Sequence, residues 1–120
     1  MRKQPLVVIV DDDVSVRESL ANLLRQLGYA EKTFESAEEL MASDAALNAS
    51  CLILDIGLPG MSGPELQREL MRRGYSIPTI LITGRTAPDL LEEGVIACLF
   101  KPFSDQELES ALDAALREKG

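Results

Sequence analysis

The sequence predicts a doubly wound α/β domain with a five-stranded parallel sheet in the order 2-1-3-4-5, and three observations carry the prediction. Four apolar runs, LVVIV at 6–10, CLILD at 51–55, TILIT at 79–83 and VIACLF at 95–100, are continuous rather than alternating, as strands covered on both faces require. Helical periodicity fills the gaps between them. Ser-x-x-Glu boxes mark where those helices begin. Parallel strands joined by right-handed crossovers make a doubly wound sheet, and 2-1-3-4-5 is the common five-stranded order of that class.

Taken along the chain, the first strand at 6–10 runs into Asp11, Asp12 and Asp13. Val16, Leu20, Leu23, Leu24 and Leu27 trace one face of a first helix, with a box at Ser15/Glu18 and Gly28 as its stop. AEKTF at 30–34 is more polar and reads as an edge strand, and Ser36/Glu39 opens a second helix. After CLILD, a third helix runs from the Ser62/Glu65 box to Gly74; after TILIT, the weaker pair Thr86/Asp89 opens a fourth. TAPDLLEEG leaves that fourth helix at most about two turns before Gly94, below the length that holds without packing. VIACLF follows, and Ser104/Glu107 opens the last helix, whose inner face is Leu108, Leu112, Ala115 and Leu116. In each box the Ser hydroxyl and the Glu carboxylate accept backbone N–H groups that the first turn leaves without partners. Five strands and five helix starts make a (βα)5 chain with a shortened helix 4.

Composition fixes the class. The 120 residues are 46% apolar and contain no low-complexity tract, repeat or Gly/Ser-rich linker, so residues 1–120 read as one domain, long enough to bury about two thirds of its unfolded surface. The apolar runs are strand-sized, too short to span a membrane. Arg2 and Lys3 precede the first run, but it ends in three aspartates instead of a small-residue cleavage site; a secretion signal is not expected, and the chain is expected to be cytoplasmic. A net charge of −8 argues against direct nucleic acid binding. Arg68, Arg72 and Arg73 read as a solvated helix face. Cys51 and Cys98 sit in apolar surroundings without C-x-x-C spacing, and with no His in the chain they read as buried free thiols rather than zinc ligands.

Open parallel sheets bind ligands beyond the carboxyl ends of their strands, where the winding reverses. Those ends carry Asp11, Asp12 and Asp13 after strand 1, Asp55 after strand 3, Thr83 after strand 4 and Lys101 after strand 5. Each alone has a plain structural explanation: Asp13 a helix cap, Asp55 a turn into GLPG, Thr83 a strand-end hydroxyl, Lys101 a snorkelling side chain. Together they do not. In this strand order Asp11, Asp12 and Asp55 crowd, repelling by roughly a few kcal/mol at an effective dielectric of about 20. Hard carboxylate oxygens without His or Cys suit Mg²⁺ or Mn²⁺, and a carboxylate beside a metal, a lysine and a hydroxyl makes a phosphoryl-accepting site.

VDDD, LILDIGLPGMSG, ILITG and FKPF, in that order across the whole chain, resemble the receiver domain of a bacterial response regulator, a member of the CheY-like superfamily of two-component signalling with a flavodoxin-like fold. Residue by residue, the resemblance implies Asp55 as the phosphoacceptor, Asp11 and Asp12 as the metal-holding acidic pair, Thr83 as the hydroxyl that follows the phosphoryl group and Lys101 as its ion-pair partner. It places the Gly57 backbone carbonyl as a metal ligand and implies a cis Lys101–Pro102 bond. It further implies Mg²⁺ as cofactor, and a sensor histidine kinase or histidine phosphotransfer protein as donor. An output domain or effector protein would receive the signal, with room for a phosphorylation-dependent dimer. The domain is then a signalling switch that assists its own phosphorylation and dephosphorylation, not an enzyme acting on a substrate.

The sequence departs from that family at three places. Where receivers carry Tyr or Phe three residues before the lysine it has Cys98, and Phe100 is either a substitute readout or, the more favoured reading, a core residue. The segment between Thr83 and Lys101 is short by about one helical turn, which puts the output face built on the fourth helix in question. Gly57 offers no side chain where many receivers shape water access, and Arg85 is a candidate to lean over the site instead. Two other functions compete. DDDVS at 11–15 loosely fits the start of haloacid-dehalogenase-like phosphatases, with Asp11 as nucleophile, and a degenerate receiver would bind partners without phosphorylation.

Overall fold

The computed structural model describes residues 4–84 and 94–119. Its elements run β1 (Leu6–Val10), α1 (Val14–Gln26), β2 (Ala30–Phe34), α2 (Ala37–Met41), α3 (Ala45–Asn48), β3 (Ala49–Asp55), α4 (Gly63–Arg72), β4 (Thr79–Thr83), β5 (Val95–Phe100) and α5 (Asp105–Lys119). All strand pairs are parallel, and the order β2-β1-β3-β4-β5 is the one expected. The reading of a short helix after Thr86, its Thr86/Asp89 cap and the role suggested for Arg85 lie outside the described residues.

The apolar runs become strands because alternate residues bury against different helix layers. Val8, Val10, Leu52, Leu54 and Leu81 pack with Leu40 of α2 and with Leu66 and Leu70 of α4. Val7, Ile9, Ile53, Ile80 and Ile82 pack on the other face with Leu20 and Leu24 of α1 and Leu108 and Leu112 of α5. At roughly 1.5–3 kcal/mol for each large apolar side chain buried, these two cores outweigh the weak propensities of any single element. Among the described residues no strand lies beyond β2, which shows the polar pattern of an edge.

Three of the helix starts follow the expected chemistry. Ser62 and Glu65 form a reciprocal capping box, as do Ser104 and Glu107. The Ser36 hydroxyl accepts from the Glu39 N–H, while Glu39 reaches back to the N–H of Glu35. The first helix differs from expectation: its cap is Asp13, whose carboxylate accepts from the N–H groups of Ser15 and Val16, and Ser15 lies within the first turn. A carboxylate gains from the positive helix terminus as well as from its hydrogen bonds, which favours the earlier start. Gly28 and Gly74 end their helices at φ of 90° and 93°. The four-residue α3, with no side-chain cap, has no counterpart in the sequence pattern.

Other expectations divide. Arg72 and Arg73 do form a solvated face, both paired with Glu69 at 2.6 and 2.8 Å. Cys51 is a buried free thiol, whereas Cys98 is only half-buried. The core reading of Phe100 fails: the residue is 50% exposed, at the end of the edge strand β5, along which every residue is only partly covered. None of the described helices is long and apolar enough to cross a membrane.

Candidate functional site

The carboxyl edge of the sheet gathers side chains from four strands. β1 carries its ladder one residue past its end, with the Asp11 N–H bonded to the Phe34 carbonyl at 3.1 Å, and this register turns Asp11 inward where it is fully buried. Both of its carboxylate oxygens have donors: Oδ1 accepts from the Asp13 N–H at 2.9 Å and Oδ2 from Lys101 Nζ at 3.1 Å. Arg17, one turn into α1, donates to the Asp11 carbonyl at 2.7 Å and fixes the chain between strand and helix. Asp12, the next residue, points to solvent.

Asp55 ends β3, the strand beside β1, and is 8% exposed. Its Oδ1 accepts from the Gly57 N–H at 3.1 Å, and its Oδ2 lies 3.5 Å from Lys101 Nζ. A Cβ at position 57 would stand 3.9 Å from that Oδ1, so glycine leaves the approach to the carboxylate open. At the back of the turn, a Cβ at Gly63 would sit 2.5 Å from the Asp55 carbonyl oxygen; only glycine lets α4 start against the Asp55 backbone.

Thr83 ends β4 and is 6% exposed. Its carbonyl accepts the Lys101 N–H at 2.8 Å, continuing the β4–β5 ladder through the Thr83–Phe100 register. Lys101 follows immediately, and the peptide joining it to Pro102 is cis, as the resemblance implied. The lysine side chain reaches back across the strand ends to stand between Asp11 and Asp55.

Asp11, Asp12 and Asp55 offer carboxylate oxygens that all lie within 4.8 Å of one another. Burial pushes the Asp11 carboxyl above its ordinary range; the bonds from the Asp13 N–H and Lys101 oppose this without cancelling it, and the Asp55 charge adds to the rise. For Lys101, burial acts to depress the ammonium, yet the hydrogen bond and charge of Asp11, joined by Asp55, outweigh it and hold the pKa above its usual value. Three hard oxygen donors on the rim of a partly buried cleft are a donor set that fits a small divalent cation.

Every residue singled out at the strand ends is therefore at this edge. Lys101 meets Asp11 and Asp55 directly, the Asp12 carboxylate lies within 4.8 Å of theirs, Thr83 borders them, and the Gly57 N–H, rather than its carbonyl, makes the bond seen here. Sequence reasoning missed Arg17, whose basic side chain one turn beyond an acidic run was the available signal.

The family model for the response regulator receiver domain matches residues 7–113. Nodulation protein W of Bradyrhizobium diazoefficiens is 43% identical over 114 residues, 92% of this chain and 50% of that protein. Response regulator protein TmoT of Ectopseudomonas mendocina is 37% identical over 119 residues, 96% of this chain and 54% of that protein. Among solved structures, the response regulator StyR superposes with a TM-score of 0.90 at 39% identity, over 98% of this chain and 61% of that one. The structure of FixJ-N superposes with a TM-score of 0.84 at 34% identity, over 97% of this chain and 96% of that one. The chain spans about half the length of the curated relatives it matches.

Proposed function

The chain belongs to the response regulator receiver domain family, and from that premise we propose that it accepts a phosphoryl group on Asp55 and switches conformation to control an output domain or effector protein. The observation that carries the proposal is the sharing of one ammonium, Lys101, between Asp11 and Asp55 beside the exposed Asp12. A structural ion pair needs one carboxylate. With Asp12 beside Asp11 and Asp55, three carboxylates against one ammonium leave two negative charges, which a bound divalent cation would balance.

The donor is a phosphohistidine on a sensor histidine kinase or histidine phosphotransfer protein. An Asp55 carboxylate oxygen attacks phosphorus; the P–N bond breaks, and its electron pair returns to the imidazole, which regains a proton from solvent. The product is an aspartyl phosphate. Asp11, Asp12, Asp55 and the Gly57 carbonyl would hold Mg²⁺, or Mn²⁺, which when bound neutralises charge on the transferred oxygens. Lys101 is placed to exchange its contact with Asp55 for one with the phosphoryl group. The Thr83 hydroxyl, from the strand next to Asp55, would follow that group, and the new contacts shift the balance between two conformations. A groove of about 460 Å³ between α1 and the segment after β5, lined by Val16, Leu20, Leu23 and Phe103 together with Ser15 and Asp105, adjoins Lys101 and supports docking of the donor at this face.

On this reading the domain is a phosphorelay switch rather than a turnover enzyme, it acts within the cytoplasm, and contact with nucleic acid, where it occurs, belongs to another domain. Phosphorylation-dependent pairing of two copies is compatible with the exposed Phe100 at the end of β5. The phosphatase reading needs Asp11 as nucleophile, and the Asp11 side chain is fully buried whereas that of Asp55 keeps some exposure to an incoming group. Intact-mass analysis after incubation with Mg²⁺ and acetyl phosphate tests the proposal. A single phosphoryl adduct mapping to Asp55 and absent from Asp55→Asn is expected. Catalytic release of phosphate that depends on Asp11, or no adduct with either acetyl phosphate or a kinase, would overturn it in favour of the phosphatase or the degenerate receiver.

A further inference from the structure

The loop between Asp55 and α4 carries the Gly57 backbone and is held from outside its own strand and helix. Leu58 is buried in the α2–α4 core, and the Ser62/Glu65 box anchors the far end. Between these, the Met61 N–H donates to Glu38 Oε2 at 3.1 Å, a bond spanning 23 positions of sequence. Glu38 lies in α2 and is exposed, so its carboxylate is not held there by burial. The loop is shaped to receive it: Gly60 adopts φ of 72°, and a Cβ there would stand 2.9 Å from Glu38 Oε2 and 3.4 Å from Oε1. A residue other than glycine would be strained by its backbone and would also displace the carboxylate.

We propose that Glu38 is a positioning residue for the phosphoryl-accepting site: by accepting the Met61 N–H it fixes the loop over 56–62, and so the orientation of the Gly57 peptide against Asp55. The inference rests on the metal-assisted phosphoacceptor reading, and deepens it by tying α2 to the site. The Gly57 peptide has two polar ends that matter. Its N–H holds Asp55 Oδ1 at 3.1 Å, and its carbonyl is the main-chain oxygen assigned above to the cation. Rotation of this peptide moves both at once, and a cation that takes few protein ligands is sensitive to each. Glu38 touches none of the reacting atoms. It acts through Met61 and the backbone.

Two variants separate position from charge. Glu38→Ala removes the acceptor, whereas Glu38→Gln keeps an acceptor oxygen and loses the charge. Calorimetric titration of the unphosphorylated protein with Mg²⁺, and amide hydrogen exchange over 56–62 in EDTA, are the two readouts. Glu38→Ala is expected to weaken Mg²⁺ binding on the order of threefold to tenfold, the worth of one hydrogen bond, and to speed exchange of the loop amides, with Glu38→Gln restoring both. Wild-type Mg²⁺ affinity in Glu38→Ala, unchanged exchange at Met61, or a Glu38→Gln variant as impaired as Glu38→Ala would each overturn the positioning role. Asp55→Asn is the control for the underlying reading. If it and the parent bind Mg²⁺ alike, the metal site itself is wrong, and the exchange data alone then decide whether Glu38 holds the loop.

Discussion

Replacing Lys101 by Met tests how the site balances its charge. In the parent, Nζ stands 3.1 Å from Asp11 Oδ2 and 3.5 Å from Asp55 Oδ2. At an effective dielectric of about 20, each contact represents about 5 kcal/mol of gross attraction. Desolvation of the ammonium cancels much of this, and water reaches its side chain, which is 26% exposed. The larger consequence falls on the carboxylates. Asp11 is fully buried, and removing one partner of a buried pair costs about 3–5 kcal/mol because the remaining charge is left without compensation. The partial exposure of the lysine lowers the expectation to about 2–3 kcal/mol. Urea denaturation followed by circular dichroism in EDTA should show that loss. Saturating Mg²⁺ should narrow the gap to under about 1 kcal/mol, since a ligand that binds only the folded state stabilises it, and the variant should bind Mg²⁺ more tightly than the parent. A variant as stable as the parent in EDTA, or a gap that Mg²⁺ leaves unchanged, would refute the view that Lys101 and a divalent cation share the task of neutralising this cluster.

Gly63→Ala places a methyl 2.5 Å from the Asp55 carbonyl oxygen; thermal unfolding should show a loss of about 1–3 kcal/mol, with slower phosphorylation by acetyl phosphate because the phosphoacceptor backbone must move. The Cys51 thiol, fully buried and pushed by that burial to about 12, should resist a thiol-specific disulfide reagent at pH 8 while half-buried Cys98 reacts, and both should react in urea; equal native rates would contradict the packing described. Phe100→Ala should change stability by no more than about 0.5 kcal/mol, because its ring is half-exposed, while weakening phosphorylation-dependent association measured by light scattering or partner titration. An unaltered association would remove Phe100 from the output surface.

Much of the molecule was legible because its signals are local. β1, β2, β4 and β5 begin and end where LVVIV, AEKTF, TILIT and VIACLF begin and end, and β3 is longer than CLILD by two residues. The boxes at Ser62 and Ser104 need only neighbours three residues away. The misreadings concern choices between neighbours or between environments. Ser15 and Asp13 both qualify as caps, and the strand exit, fixed by the Asp11–Phe34 ladder bond and the Arg17–Asp11 contact, selects Asp13. Phe100 and Cys98 lie on one strand in an apolar run, and how much of each is covered depends on helices distant in sequence. α3 has too few residues to generate any period.

The sequence by itself determined the class, the strand order and the edge at which the polar residues collect, because hydrophobic period, capping and the handedness of crossovers are properties of the chain read along its length. It also placed Asp11, Asp12, Asp55, Thr83 and Lys101 at that edge. The tertiary structure alone decided what those residues do to one another: that Asp11 is fully buried with two donors while Asp12 faces water, that a single ammonium divides itself between strands β1 and β3, and that Glu38 reaches across 23 residues to the loop behind Asp55. Distances of a few ångströms between residues far apart in sequence are set by packing, and electrostatic energies depend on those distances and on burial, neither of which a linear pattern records.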